Sequence, residues 1–141
     1  MPQMNSSTIL GFSKTFLRGF DFAAELPATS INRGDALRLV PEPSNPVDRD
    51  AVKAVTACGL HVGRINRHHA NAGFVHMLRA IASHRITFHA IIDSLTSEMV
   101  ANRRDTVVNL RLSFSSTDPP IKTIQWLPKL LRNHRLPFQS T

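Results

Sequence analysis

The residue types that could do chemistry concentrate between positions 42 and 69. Glu42, Asp48 and Asp50 surround a double-proline turn, EPSNPVDRD. Carboxylates this close could serve general acid–base work or hold a divalent cation, if a pocket and supporting groups converged on them. Turn chemistry accounts for them more simply. Asp48 can close an Asx-type turn, Pro46 fixes its own backbone angle, and Asp50 can cap or pair with Arg49. Cys58 precedes His61 by three residues, but that spacing does not specify a Cys/His catalytic pair without a third, orienting group. His68 and His69 are adjacent and diverge on a helix. His69 and His76 share a face but lie about 10 Å apart along the axis, too far for one metal. His84, His89 and His134 have no Cys or carboxylate at ligand spacing. One cysteine excludes an internal disulfide, a zinc ribbon and C-x-x-C redox chemistry. No phosphate loop, dinucleotide fingerprint or nucleophile elbow occurs. The expectation is a non-enzymatic protein with no catalytic residues, no metal site and no cofactor.

The basic residues form a clearer pattern. Lys and Arg number 17 against 10 Asp and Glu, a net charge of +7, and 13 of the 17 are Arg. Residues 1–60 are neutral, so the whole excess lies in residues 61–141, which also hold all seven His. Such a half attracts polyanions. Arg64 and Arg67 flank the start of a helix, where free backbone N–H groups already favour an anion. Arg38, Lys53 and His61 alternate with apolar strand residues, and Arg103 and Arg104 fall in a loop. Phe22 and Trp126 are available stacking surfaces. Cations and rings on a curved sheet suit a single strand, because charge follows its backbone and rings stack its bases.

These residues need elements to position them. A chain of 141 residues is one domain's worth. Alternation predicts a first strand at Thr15–Phe22, then strands at Ala36–Val40, Val52–Thr56 and Leu60–Ile65. Residues 66–84 read as one amphipathic helix capped by Asn66. Strands follow at Ile86–Ile92 and Val108–Phe114, with 101–105 in the connection. Residues 119–141 hold Pro119, Pro120, Pro128 and Pro137, four basic residues and no acid. They read as a tail with one short helix around Pro128–Asn133. The expected core is Leu37, Leu39, Val52, Val62, Ile65, Phe74, Leu78, Ile81, Phe88, Val108, Leu110 and Leu112. The fold class is mainly β with one principal helix (α+β), a small curved sheet or barrel of about six strands. No apolar run approaches the roughly 18 residues of a membrane span. The first residues lack a basic region followed by an apolar stretch. A soluble intracellular protein, cytoplasmic or nucleoid-associated, is expected.

Residues 34–70 resemble the core of the HIRAN domain family. The resemblance rests on Glu42–Pro43, Asn45–Pro46, Asp48, Ala51–Val52, Gly59, Val62–Gly63 and Arg67, in order and with the family's gaps. It implies an OB-like barrel and divides the chain into a lead-in at 1–13, a HIRAN-like domain at 14–114 and a basic, proline-containing tail at 115–141. It further implies binding of single-stranded DNA or a DNA 3′ end without catalysis. Asn45 and Asp48 match the polar pair that holds the end, and Phe22 matches a stacking ring of the first strand. Arg64, Arg67, Lys53 and His68 are the expected phosphate contacts. Val47 stands where the family pattern has an aromatic, and one lost base-stacking ring costs roughly 1–3 kcal/mol. Asp21 falls about where the first strand often carries a cation. The expected partners are single-stranded DNA or its 3′ end and a DNA-processing protein, with no membrane. The alternative is a protein-interaction adaptor that keeps the fold around a degenerate end pocket.

Overall fold

A computed structural model describes residues 8–19, 31–117 and 119–140. Among these, seven strands run β1 (Thr8–Arg18), β2 (Ala36–Pro41), β3 (Val52–Val55), β4 (His61–Ile65), β5 (Thr87–Val100), β6 (Arg103–Ser116) and β7 (Gln139–Ser140). Three helices are α1 (Arg67–Asn71), α2 (Phe74–Ser83) and α3 (Ile121–Asn133). All strand pairs are antiparallel, in the order β4-β3-β2-β5-β6-β1-β7. The end of β1 also pairs with β4, Leu17 opposite Ile65 and Arg18 opposite Arg64. Six strands therefore form a hydrogen-bonded ring, the mainly β, OB-like architecture expected from the sequence. Gly63 permits this closure, because a β-carbon there would lie 2.9 Å from the Arg18 carbonyl oxygen.

The core follows the apolar periodicity. Leu37, Val52, Val62, Ile65, Phe74, Ile81, Val108, Leu110 and Leu112 are buried, and Leu39, Leu78 and Phe88 pack partly buried against them.

β1 differs from the expected Thr15–Phe22. It begins at Thr8, inside the segment read as a lead-in, and ends at Arg18; Phe20, Asp21 and Phe22 lie outside the described residues. Its buried face is Gly11, Ser13, Thr15 and Leu17. That face is mostly small or polar, so no hydrophobic period marked it. The visible phenylalanines, Phe12 and Phe16, lie on the other face.

The helix expected over 66–84 is divided at Ala72–Gly73. Asn66 caps α1 by accepting a hydrogen bond from the His69 backbone N–H at 3.0 Å. Gly73 then takes φ 90°, which glycine adopts at little cost and which a helix cannot continue through. His134 docks at the break, its Nδ1–H donating to the Ala72 carbonyl at 2.6 Å.

That contact belongs to a folded C-terminal segment. The expected short helix at Pro128–Asn133 begins earlier, at Ile121, directly after Pro119–Pro120. Thr123, Leu127 and Leu131 recur every four residues and are buried, and Leu136 joins the same core. Proline density masked this amphipathic pattern, yet Pro120 stands at the helix start, where proline costs nothing. Pro128 removes one helical hydrogen bond, and burial of its leucine neighbours offsets that loss. β7 then pairs with β1 at Gly11 and Phe12.

β5 and β6 extend far beyond the expected strands. They meet at Ala101 and Asn102, both at positive φ (49° and 62°), the pair a two-residue I′ hairpin turn requires. Residues 94–99 of this hairpin are exposed, so neither face shows the apolar alternation of a half-buried strand. No helix among the described residues is long and apolar enough to cross a membrane.

Candidate nucleic-acid interface

The turn between β2 and β3 is held by its own side chains. Asn45 Oδ1 accepts from the backbone N–H of Val47 at 2.9 Å and of Asp48 at 3.1 Å. Asp48 Oδ1 accepts from the Asp50 N–H at 2.9 Å. The Glu42 N–H donates to the Ala51 carbonyl at 2.8 Å and closes the base of the loop. These bonds use one oxygen on each of Asn45 and Asp48. The Asn45 amide N–H₂, whose hydrogen bond to Glu42 is long at 3.5 Å, and the second Asp48 oxygen remain to meet a ligand. One donor and one acceptor on a rigid turn suit a hydroxyl group.

The turn forms one wall of an open groove of about 820 Å³. Phe16 and Arg18 of β1 line it, as do Arg64 at the end of β4 and Arg67 and His68 at the start of α1. Five of the expected site residues thus meet in one place: Asn45, Asp48, Arg64, Arg67 and His68. Lys53 is not among the lining residues; it lies on β3 directly opposite Arg64. Phe22 lies outside the described residues.

Charge in the groove is more balanced than the sequence suggested. Arg64 is gripped by Glu42, Nε to Oε2 at 2.7 Å and Nη2 to Oε1 at 3.2 Å. The hydrogen bond from Arg64 holds the Glu42 carboxyl below the usual carboxylate range, and the same pair raises Arg64. Arg18 Nη1 lies 3.0 Å from both Glu98 Oε2 and Asp105 Oδ2. Glu98 and Asp105 face each other across β5 and β6, a like-charge pairing that the guanidinium between them offsets. Arg67 and His68 are exposed, and no salt bridge among the described residues involves them.

Phe16 and Arg18 entered the sequence reading only as strand residues, and the structure brings both to the groove. The guanidinium of Arg18 lies 5.4 Å from the Phe16 ring centroid. Both fell within the expected strand; their signal was the alternation along β1, whose ring-bearing face is the outward one.

Beneath the groove a buried polar cluster braces α1 against β1. Asn66 Nδ2 donates to Thr15 Oγ1 at 3.1 Å and to the Phe16 carbonyl at 3.0 Å. The Thr15 hydroxyl and His69 Nδ1 are 2.7 Å apart. Burial lowers the His69 pKa, with repulsion from His68 adding to it. No group of three His, Cys, Asp or Glu among the described residues could hold a metal ion; Glu42 serves an ion pair and Asp48 the turn, where Asp50 contributes its backbone N–H.

No curated protein matches the chain significantly. Solved structures do. The crystal structure of the HIRAN domain of human HLTF superposes with a TM-score of 0.67 at 16% identity, covering 97% of this chain and 99% of that one. The NMR structure of the HLTF HIRAN domain in its DNA-bound conformation gives a TM-score of 0.57 at 17% identity, covering 92% and 93%. A crystal structure of a protein from Lactobacillus plantarum gives 0.52 at 17% identity, covering 76% and 98%. The model of the HIRAN domain matches residues 10–115. With the ring of strands and the Asn45–Asp48 turn in place, the chain belongs to the HIRAN domain family.

Proposed function

We propose that this protein binds single-stranded DNA at its 3′ end and performs no chemistry on it. The observation that carries this reading is the Asn45–Asp48 turn. It presents one amide donor and one carboxylate acceptor, already immobilised, beside the exposed side chains of Arg67 and His68. A terminal 3′-hydroxyl donates to Asp48 and accepts from Asn45, whereas a terminal phosphate is repelled by Asp48. Rigidity lowers the ordering cost of binding. The DNA-bound conformation solved for the HLTF HIRAN domain supports the choice of ligand class. In this reading the protein works inside the cell, in the cytoplasm or on the nucleoid, beside a DNA-processing partner.

A fluorescence titration with strands bearing free or phosphorylated 3′ ends tests the proposal. A 3′-phosphate should weaken binding more than a 5′-phosphate does, and Asp48→Ala should erase that difference. Equal binding of 3′-hydroxyl and 3′-phosphate strands by the unmutated protein defeats the reading.

A second reading, a protein-interaction adaptor on the same fold, draws on two observations. Val47 is 80% exposed at the tip of the turn, where it offers no ring to a base. Arg64 is already engaged by Glu42. Binding to DNA that ignores changes at Asn45 and Asp48 favours the adaptor.

A further inference from the structure

The outward face of β1 alternates ring and cation: Phe12, Lys14, Phe16, Arg18. The residues between them are buried, so these four project away from the core with the period of two that a strand imposes. Arg111 lies opposite Lys14 on β6, and its guanidinium carbon is 3.8 Å from the Phe12 ring centroid. A planar cation held on a ring offers its outer face to a base and its N–H edge to a phosphate. Lys14 and Arg111 are both exposed, and no salt bridge among the described residues occupies them.

Shallow depressions follow this face. One of about 510 Å³ is lined by Phe12, Lys14 and Arg111. A second, of about 410 Å³, is lined by Lys14 and Phe16. Phe16 also lines the groove at the Asn45–Asp48 turn. Shared residues thus link all three in a row. One acid, Asp93, lines the first two, so Lys14 and Arg111 leave that stretch net positive.

We infer that the outward face of β1, with Arg111, is a track for single-stranded DNA running away from the end-binding groove. The inference rests on the 3′-end reading above and extends it from an end pocket to a longer footprint. Alternating rings and cations match the alternating bases and phosphates of a strand. From Phe12 to Arg18 the track spans ~20 Å at ~3.4 Å per residue. With the end groove it covers roughly four or more nucleotides, within the range of an OB-type barrel. Arg18 lies where track and groove meet, and its pairing with Glu98 and Asp105 leaves Lys14 and Arg111 as the cations that hold the backbone.

Anisotropy titrations of the full chain with oligothymidylates of about 3 and about 9 nucleotides, each with a free or phosphorylated 3′ end, test this. The unmutated protein should bind the longer strand roughly tenfold more tightly. The double variant Lys14→Ala, Arg111→Gln should lose most of that gain and keep the affinity and 3′-end preference seen with the short strand. Asp93→Asn should tighten the longer strand only, a gain that misfolding cannot produce. Equal affinity for both lengths, with the 3′-end preference kept, overturns the track and leaves the end-binding reading standing. A length gain that survives the double variant also overturns the track. Loss of 3′-end preference at both lengths overturns the end-binding reading, while the Lys14 and Arg111 effect on length still decides the track.

Discussion

Glu42 holds Arg64 with both of its carboxylate oxygens, at 2.7 Å and 3.2 Å, on the wall of the groove. Arg64, which lines the groove with the Asn45–Asp48 turn, therefore reaches a ligand already compensated. Glu42→Gln removes the negative charge and frees the guanidinium for phosphate. Single-strand affinity should rise about three- to tenfold, in keeping with the ~1 kcal/mol scale of a half-exposed ion pair. A titration at low salt reads it, and an unchanged or weaker affinity contradicts the compensation.

Arg67 carries no such partner among the described residues, so its removal should cost more than that of Arg64. Arg67→Ala should weaken binding and reduce the slope of log affinity against log salt by about one. Arg64→Ala should change the slope less. Titrations across a range of salt concentrations compare the two, and equal slopes for both variants defeat the distinction.

Acid should destabilise the fold through His69. Burial lowers its pKa in the folded state, and His61 is lowered in the same direction, chiefly by desolvation and then by Arg64. Below the ordinary histidine value of about 6.5, the unfolded chain binds more protons than the folded one. Stability is then full above that pH and falls as the pH drops towards the folded values. Thermal melts between about pH 7.5 and 5 should show this loss, and His69→Gln should flatten it. A melting temperature that does not fall over that interval rules out the account.

Leu131 tests whether the C-terminal segment is part of the folding unit. It is fully buried in the common core together with Leu127 and Leu136. Leu131→Ala should cost about 2–5 kcal/mol, as deletion of a buried leucine side chain does elsewhere. Urea denaturation measures it. Ile124→Ala, at an exposed position of the same helix, should cost far less.

Much of this protein was legible from the chain because its signals are local. Alternation marked β2, β3 and β4 and the inner halves of β5 and β6, since each buries one face and shows water the other. The order Asn45, Pro46, Asp48 determined a rigid polar turn, because the bonds that hold it join residues two or three apart. Other features depend on what arrives from far along the chain. The break at Gly73 is sealed by His134, and Arg18 is balanced by Glu98 and Asp105 from an exposed hairpin. β1 buries small and polar side chains whose partners, Asn66, His69 and the Pro137 carbonyl, belong to distant segments. Composition counts charges but not pairings. Which cations face a ligand unpaired, and which rings line its path, was decided only when the ring of strands closed and set Arg18, Arg64 and Lys53 side by side.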